Sequence, residues 1–231
     1  MQLTCLSWHP QRPSLLLKWP SATVMLDCAI DTSALASFLP ASLVQCTRLS
    51  SLPGFRPPDG GVSNQLLTCC EQVFVDALPE VHPPEFYATA VESIDVVLVS
   101  NWMSMIALPF ITERPDFRGV VYATDPTVQL GRLVMEELLE FVERINRDKS
   151  DDKWKEKEMW KWFPNQPSTD PKQWSRLYTT EQMNSCLSKV KLIAYRETVN
   201  IHGVLSVSAF SSGFSIGSAN WTIQTDYEKV G

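Results

Sequence analysis

The chain has 231 residues, 44% of them hydrophobic and 20% charged, a globular balance long enough to bury a core, which excludes the disordered and fibrous classes. With 26 acidic against 20 basic side chains the net charge is -6, so the molecule as a whole lacks the basic footprint of a nucleic-acid binder. There are three histidines, His9, His82 and His202, and no two stand at a spacing that would share a metal ion from one helix or turn.

In chain order, the first residues show no basic stretch followed by an apolar core, so no secretory signal is read. The clean apolar runs, such as Leu15-Leu16-Leu17, fall far short of the ~20 residues that a spanning helix needs, and no membrane partner is expected. The six cysteines are expected to be reduced, with no structural disulfide, and the adjacent Cys69 and Cys70 to be small buried apolar residues. Short strands are predicted over 3–6, 14–18 and 22–26. Residues 50–61 are turn chemistry throughout. Val73-Phe74-Val75 is a strand candidate, and 94–100 is a β-branched run suited to the middle of a sheet covered on both faces.

A short segment around 107–112 precedes a strand over 119–123. A helix of roughly 20 residues then follows, with Asp125 as its cap and Pro126 at its first position. Leu130, Val134, Leu138, Phe141 and Ile145 recur at steps of three and four and form its predicted apolar face. From 147 to 175 the composition shifts to a charged, tryptophan-bearing insertion. Thr179-Thr180-Glu181-Gln182 is a helix-capping box, and strands over 190–195, 199–202, 204–210 and 218–224 close the chain. Strands, then interleaved helices, then strands again indicate a layered α/β or α+β domain.

Three segments carry a family resemblance. They are Val24-Met25-Leu26-Asp27-Cys28-Ala29, the stretch from Val97 to Pro109, and the stretch from Ser211 to Trp221. Together they resemble the first motif, the metal-binding loop and the third motif of the metallo-β-lactamase fold nucleases with a β-CASP insertion, the group of the pre-mRNA 3′-end endonuclease. The resemblance runs almost end to end. It implies a metallo-β-lactamase-like αββα sandwich over 1–231, interrupted by the insertion at about 147–175 and incomplete at the C-terminal end. In the family, further strands, another ligand motif, the β-CASP domain and a C-terminal dimerisation region come later. The resemblance therefore implies a fragment without a β-CASP domain, with an unpaired sheet edge and weakened pairing.

Active members carry His-x-His-x-Asp-His where two zinc ions activate a bridging water. Aligned on Ser100, the corresponding positions here are Asn101, Met103, Met105 and Ile106, and the segment 100–106 has no His, Asp, Glu or Cys in any register. In the third motif Gly213 and Gly217 are kept and Phe214 stands at the ligand position. Asp27 is kept, and the resemblance implies that it supports the metal loop by hydrogen bonding. Met103, Met105, Ile106 and Phe214 are expected to pack into the former metal site. The three histidines are expected on the surface or in turns.

No cofactor, metal or catalytic residue is therefore expected. The resemblance implies a pseudo-enzyme in the nucleus, a non-catalytic subunit of an RNA 3′-end-processing complex that pairs with an active endonuclease subunit. Two alternatives stand beside it. A zinc-dependent hydrolase would need ligands gathered from remote loops. An RNA-binding or partner surface would use Lys153, Lys155, Lys157 and Lys161 with Trp154 and Trp160 of the insertion, combining phosphate contacts with base stacking. Glu156 and Glu158 dilute that charge and favour a solvated segment that packs its tryptophans on the domain.

Overall fold

The structure is a computed structural model and describes residues 1–7, 13–40, 66–69, 72–86, 91–145, 152–161, 163, 169–225 and 229–230. His9, Cys70 and the 50–61 turn region lie outside these. The contacts divide the chain into two compact units, 1–30 with 83–137 and 178–231, and 31–82 with 138–177. The predicted insertion falls in the second unit together with residues 31–82.

The first unit is built on a six-stranded sheet. Its strands are β1 (Gln2–Cys5), β2 (Leu15–Lys18), β3 (Thr23–Leu26), β7 (Val96–Leu98), β8 (Val120–Ala123) and β10 (Val190–Leu192), side by side in that order. The first three pair antiparallel, and β3, β7, β8 and β10 run parallel. The apolar run predicted for the sheet centre is there: Val96, Val97 and Leu98 are all fully buried. Parallel strands need crossover connections whose helices cover a sheet face. These carry α1 (Pro109–Thr112), α2 (Asp125–Ile145) and α4 (Thr180–Lys189).

A second sheet holds β11 (Thr198–Ile201), β12 (Leu205–Ser211), β13 (Ala219–Thr225) and β14 (Lys229–Val230), all antiparallel. Val24, Val96, Leu98 and Tyr122 of the first sheet form one apolar cluster with Leu205, Val207, Ala209, Ala219 and Ile223 of the second. The two sheets thus pack face to face. Met25, Val97 and Val121 alternate with the first set, point to the opposite face and are equally buried.

Two local predictions need correction. Helix α2 begins with Asp125 itself; the Thr124 carbonyl accepts from the Val128 N–H at 3.1 Å, so Thr124 and not Asp125 occupies the cap position. The buried face of α2 is Thr127, Val128, Gly131, Met135, Leu139 and Ile145, while Phe141 is exposed and Leu130, Val134 and Leu138 are half-buried. Apolar residues occupy two neighbouring stripes of this helix; Ile145 of the predicted one is buried, and for the rest packing chose the other. The capping box on α4 is as read: Thr179 Oγ1 accepts from the Gln182 N–H at 3.3 Å, and Gln182 Oε1 accepts from the Thr179 N–H at 2.9 Å.

In the second unit, β4 (Leu66–Cys69) pairs with β5 (Gln72–Val75), and β6 (Glu80–Val81) with β9 (Ser175–Arg176). Its core is aromatic. Phe38, Trp154, Trp160, Phe163 and Trp174 are buried together, with Trp154 and Trp160 edge to face at 6.1 Å. Helix α3 (Lys157–Trp160) and a 3₁₀ turn over Lys153–Lys155 bring the tryptophans inward.

Candidate functional site

Three loops of the first unit meet beside the start of α2 at the carboxyl ends of the parallel strands, where open α/β sheets place their ligands. Strand β3 is followed by Asp27, held at a left-handed φ of 63°, a conformation that Asp tolerates better than most residues. Its carboxylate accepts from the Ser100 N–H at 2.7 Å and from the Ser100 hydroxyl at 2.8 Å. Burial pushes the Asp27 carboxyl up to about 6, against the lowering effect of the Ser100 hydrogen bonds. Both of its oxygens are used within the protein.

The loop after β7 folds as a 3₁₀ turn, Trp102–Met105, capped by Asn101, whose Oδ1 accepts from the N–H groups of Met103 at 2.9 Å and Ser104 at 3.2 Å. Asn101 Nδ2 donates to the hydroxyls of Ser100 at 2.9 Å and Ser104 at 3.1 Å. The Ser104 carbonyl accepts from the Cys28 N–H at 2.7 Å, and the Cys28 carbonyl from the Ala107 N–H at 3.0 Å, which stitches this loop to the residue beyond Asp27. Ser100 and Ser104 were not among the sequence candidates. A Ser-Asn-x-x-Ser run is an ordinary capping pattern, and this was the signal that could have found them.

The third loop, Ser212–Ser218, closes on itself: Ser212 Oγ donates to Ser218 Oγ at 2.7 Å, and the Ser215 N–H to Ser218 Oγ at 2.9 Å. Gly213 and Gly217 both have positive φ, 74° and 81°. The Gly217 carbonyl accepts from the hydroxyls of Thr124 at 2.6 Å and Thr127 at 3.0 Å, fixing the loop on the start of α2. A Cβ on Gly217 would lie 2.7 Å from the Thr127 nitrogen, so glycine is required by approach as well as by φ. The Ser100 carbonyl accepts from the Ala219 N–H at 2.7 Å, and the Val99 carbonyl from Trp221 Nε1 at 3.1 Å.

The structure therefore brings Asp27, the 100–106 loop and the 213–217 loop together, but it does not fill the site as expected. Met105 and Ile106 are buried and Met103 is half-buried, whereas Phe214 is 68% exposed and its neighbour Ile216 75% exposed. Phe214 sits on a loop that Ser212 and Ser218 close through their hydroxyls, and its ring projects outward from that closure. Met105 packs beside Gly131 of α2, where an added Cβ would lie 2.1 Å from its sulfur.

Zinc, which the resemblance implies for active members, requires imidazole and carboxylate donors. The donors at these positions are an amide already spent as a cap, two thioethers, an alkyl group and a phenyl ring, with a carboxylate already doubly hydrogen-bonded. They do not fit the ion. Among the described residues no group of three or more His, Cys, Asp or Glu could hold a metal. His82, expected on the surface or in a turn, is instead buried, and its backbone pairs with Asp31 at 3.0 and 3.2 Å. His202 is a turn residue at φ 52°, followed by Gly203 at φ 71°.

Residues 78–230 match the metallo-beta-lactamase superfamily domain. The chain belongs to that superfamily. Within this metallo-beta-lactamase group it is 44% identical over 234 residues to Integrator complex subunit 9 of Homo sapiens, covering all of this chain and 36% of that protein. It is 36% identical over 238 residues to the Integrator complex subunit 9 homolog of Nematostella vectensis, again covering the whole chain and 36% of the relative. Endoribonuclease YSH1 of Kluyveromyces lactis is 25% identical over 134 residues, 57% of this chain and 15% of that protein. The chain thus spans about a third of the length of the curated Integrator relatives it matches.

The lysine and tryptophan candidates lie in the second unit. Trp154 and Trp160 are 2% and 5% exposed, inside the aromatic core. Stacking on a base requires an open ring face, which neither offers. Lys155 is mostly buried and places Nζ 2.8 Å from the Glu80 carboxylate. Burial pushes the Glu80 carboxyl up, while its Lys155 partner acts the other way. Lys153, Lys157 and Lys161 lie on the exposed side.

Proposed function

We propose that this chain acts as a non-catalytic scaffold within the Integrator complex, supporting the active endonuclease subunit in 3′-end processing of small nuclear RNA and other RNA polymerase II transcripts. The observation that carries the reading is the state of the donors at the motif positions. Asp27 and Asn101 spend their polar atoms on the loop itself, and Met105 and Ile106 are buried. On this reading hydrogen bonds and packing stand at the motif positions where zinc donors would be. Similarity to Integrator complex subunit 9 over the whole chain supports membership of that complex.

The partners on this reading are Integrator subunit 11, the endonuclease, and subunit 4, with RNA met only through them, and the compartment is the nucleus. The test has two parts. Purified protein is assayed for zinc by elemental analysis and for RNA cleavage, with none expected of either. Stoichiometric zinc, or cleavage abolished by Asp27→Asn, would refute the non-catalytic role. Co-purification from nuclear extract is scored for subunits 11 and 4, and recovery of neither refutes the assignment to the complex.

A further inference from the structure

On the first unit, away from the loops described above, the amino ends of β8 and β10 and the end of α1 enclose a cleft of about 410 Å3. Arg114, Arg118 and Lys189 line it, with Phe117 and Val121 as its apolar part. Two of the cations are paired with carboxylates, and Arg118 donates to the Phe117 carbonyl at 3.3 Å. The Arg114 guanidinium forks onto the Asp116 carboxylate at 3.0 and 2.8 Å, which holds the Asp116 carboxyl below its usual range. Lys189 Nζ donates to the Thr112 carbonyl at 2.9 Å and to the Glu113 carboxylate at 2.8 Å. Against these two carboxylates Arg118 leaves one positive charge in excess, in a chain whose net charge is -6.

The strand that begins one residue after Lys189 is β10, which forms the edge of the six-stranded sheet. It pairs with β8 on one side and with no strand on the other among the described residues. Lys191 and Leu192 are exposed, Leu192 by 55%. An open edge presents backbone donors and acceptors that an extended chain can pair with. A cationic cleft at the head of such an edge selects which chain does so.

We propose that β10 and the Arg114–Arg118–Lys189 cleft form a docking surface for an acidic peptide in extended conformation, which adds to the sheet along β10 and places an Asp or Glu side chain against Arg118. The single excess charge matches one carboxylate. A phosphate dianion or a nucleic-acid strand brings more negative charge than the cleft neutralises. The half-buried Phe117 ring accepts the aliphatic part of the entering side chain. This inference does not rest on the Integrator assignment.

The probe is a labelled nonapeptide of alternating Thr and Val with a glutamate at each end, titrated into the purified protein by fluorescence anisotropy at low ionic strength. Saturable binding is expected, weakened about tenfold when the glutamates are replaced by glutamine. A similar loss is expected when alternate amides of the peptide are N-methylated, which removes strand pairing without touching the protein. Arg118→Glu, at an exposed position, is expected to lose the Glu peptide and to gain a matching Lys peptide, with unchanged thermal unfolding. No binding at 1 mM peptide overturns the proposal. So do equal affinities for the Glu and Gln or for the methylated and unmethylated probes, retained binding by Arg118→Glu, and tighter binding of a phosphoserine peptide or a single-stranded RNA of the same length.

Discussion

Gly131→Ala in α2 sets two effects against each other. Gly131 lies in the interior of a 21-residue helix, where Ala is favoured over Gly by about 1 kcal/mol. The added Cβ would, however, lie 2.1 Å from Sδ and 2.8 Å from Cγ of Met105. Met105 is fully buried, so its side chain has no solvent to swing into. Overpacking of this kind costs about 1–3 kcal/mol. The net expectation is a destabilisation of about 1 kcal/mol, read as a fall in Tm of roughly 2–4 °C for a domain of this size. In a Met105→Ala background the clash is gone and the same substitution should stabilise by about 1 kcal/mol, the helix-propensity gain alone. Thermal or urea unfolding of the four proteins of this cycle reads the sign directly. A rise in Tm for Gly131→Ala alone, or no change of sign between backgrounds, would show that Met105 does not lodge against α2.

Three further predictions follow from the site and the second unit. Gly217→Ala meets both a φ of 81° and a 2.7 Å contact to the Thr127 nitrogen, so it should cost more than about 1 kcal/mol in urea unfolding, and a neutral result would refute the tight seat of that loop. The Asp27 carboxyl is raised from its ordinary 3.8 to about 6, so the folded state binds its proton more tightly than the unfolded chain does. Its contribution to stability is fully present below pH 4 and lost as pH rises through 6, by at most about 3 kcal/mol. Urea midpoints from pH 4 to 7 should show that fall in the parent and not in Asp27→Asn, which also tolerates the left-handed φ; identical profiles would remove Asp27 as the cause. Trp154→Ala empties the centre of the aromatic core of the second unit and should cost about 3–5 kcal/mol, so a change of less than 1 kcal/mol by calorimetry would contradict its burial.

Much of the frame was legible because it rests on short-range signals. The Val96–Leu98 run has no polar residue to turn outward, so it could only sit between covered faces. Thr179 and Gln182 cap a helix by contacts three residues apart, which spacing alone reveals. The absence of imidazole and carboxylate from 100–106 is equally a property of the chain order, independent of folding. The carboxylate at Asp27, with a motif resemblance around it, also marked the strand end that supports the loop.

What the order of residues left open were choices between equivalent partners. Helix α2 offers two adjacent apolar stripes, and packing in the folded chain, Met105 against Gly131 included, decides which one is buried. Met105 and Phe214 look alike as apolar replacements at ligand positions, yet one is enclosed and the other is 68% exposed. The difference comes from the loops: the 100–106 segment is pulled against Cys28 and Asp27 by its own backbone, whereas 212–218 is closed on itself through the hydroxyls of Ser212 and Ser218 and leaves its ring outside. The Trp154 and Trp160 pair likewise reads from sequence as a stacking surface or as a core, and burial beside Phe38 and Trp174 makes it core. Composition and spacing establish which groups a chain can present, but solvent exclusion is a many-body property of the packed structure, and it alone determined which of those groups remain open to a partner.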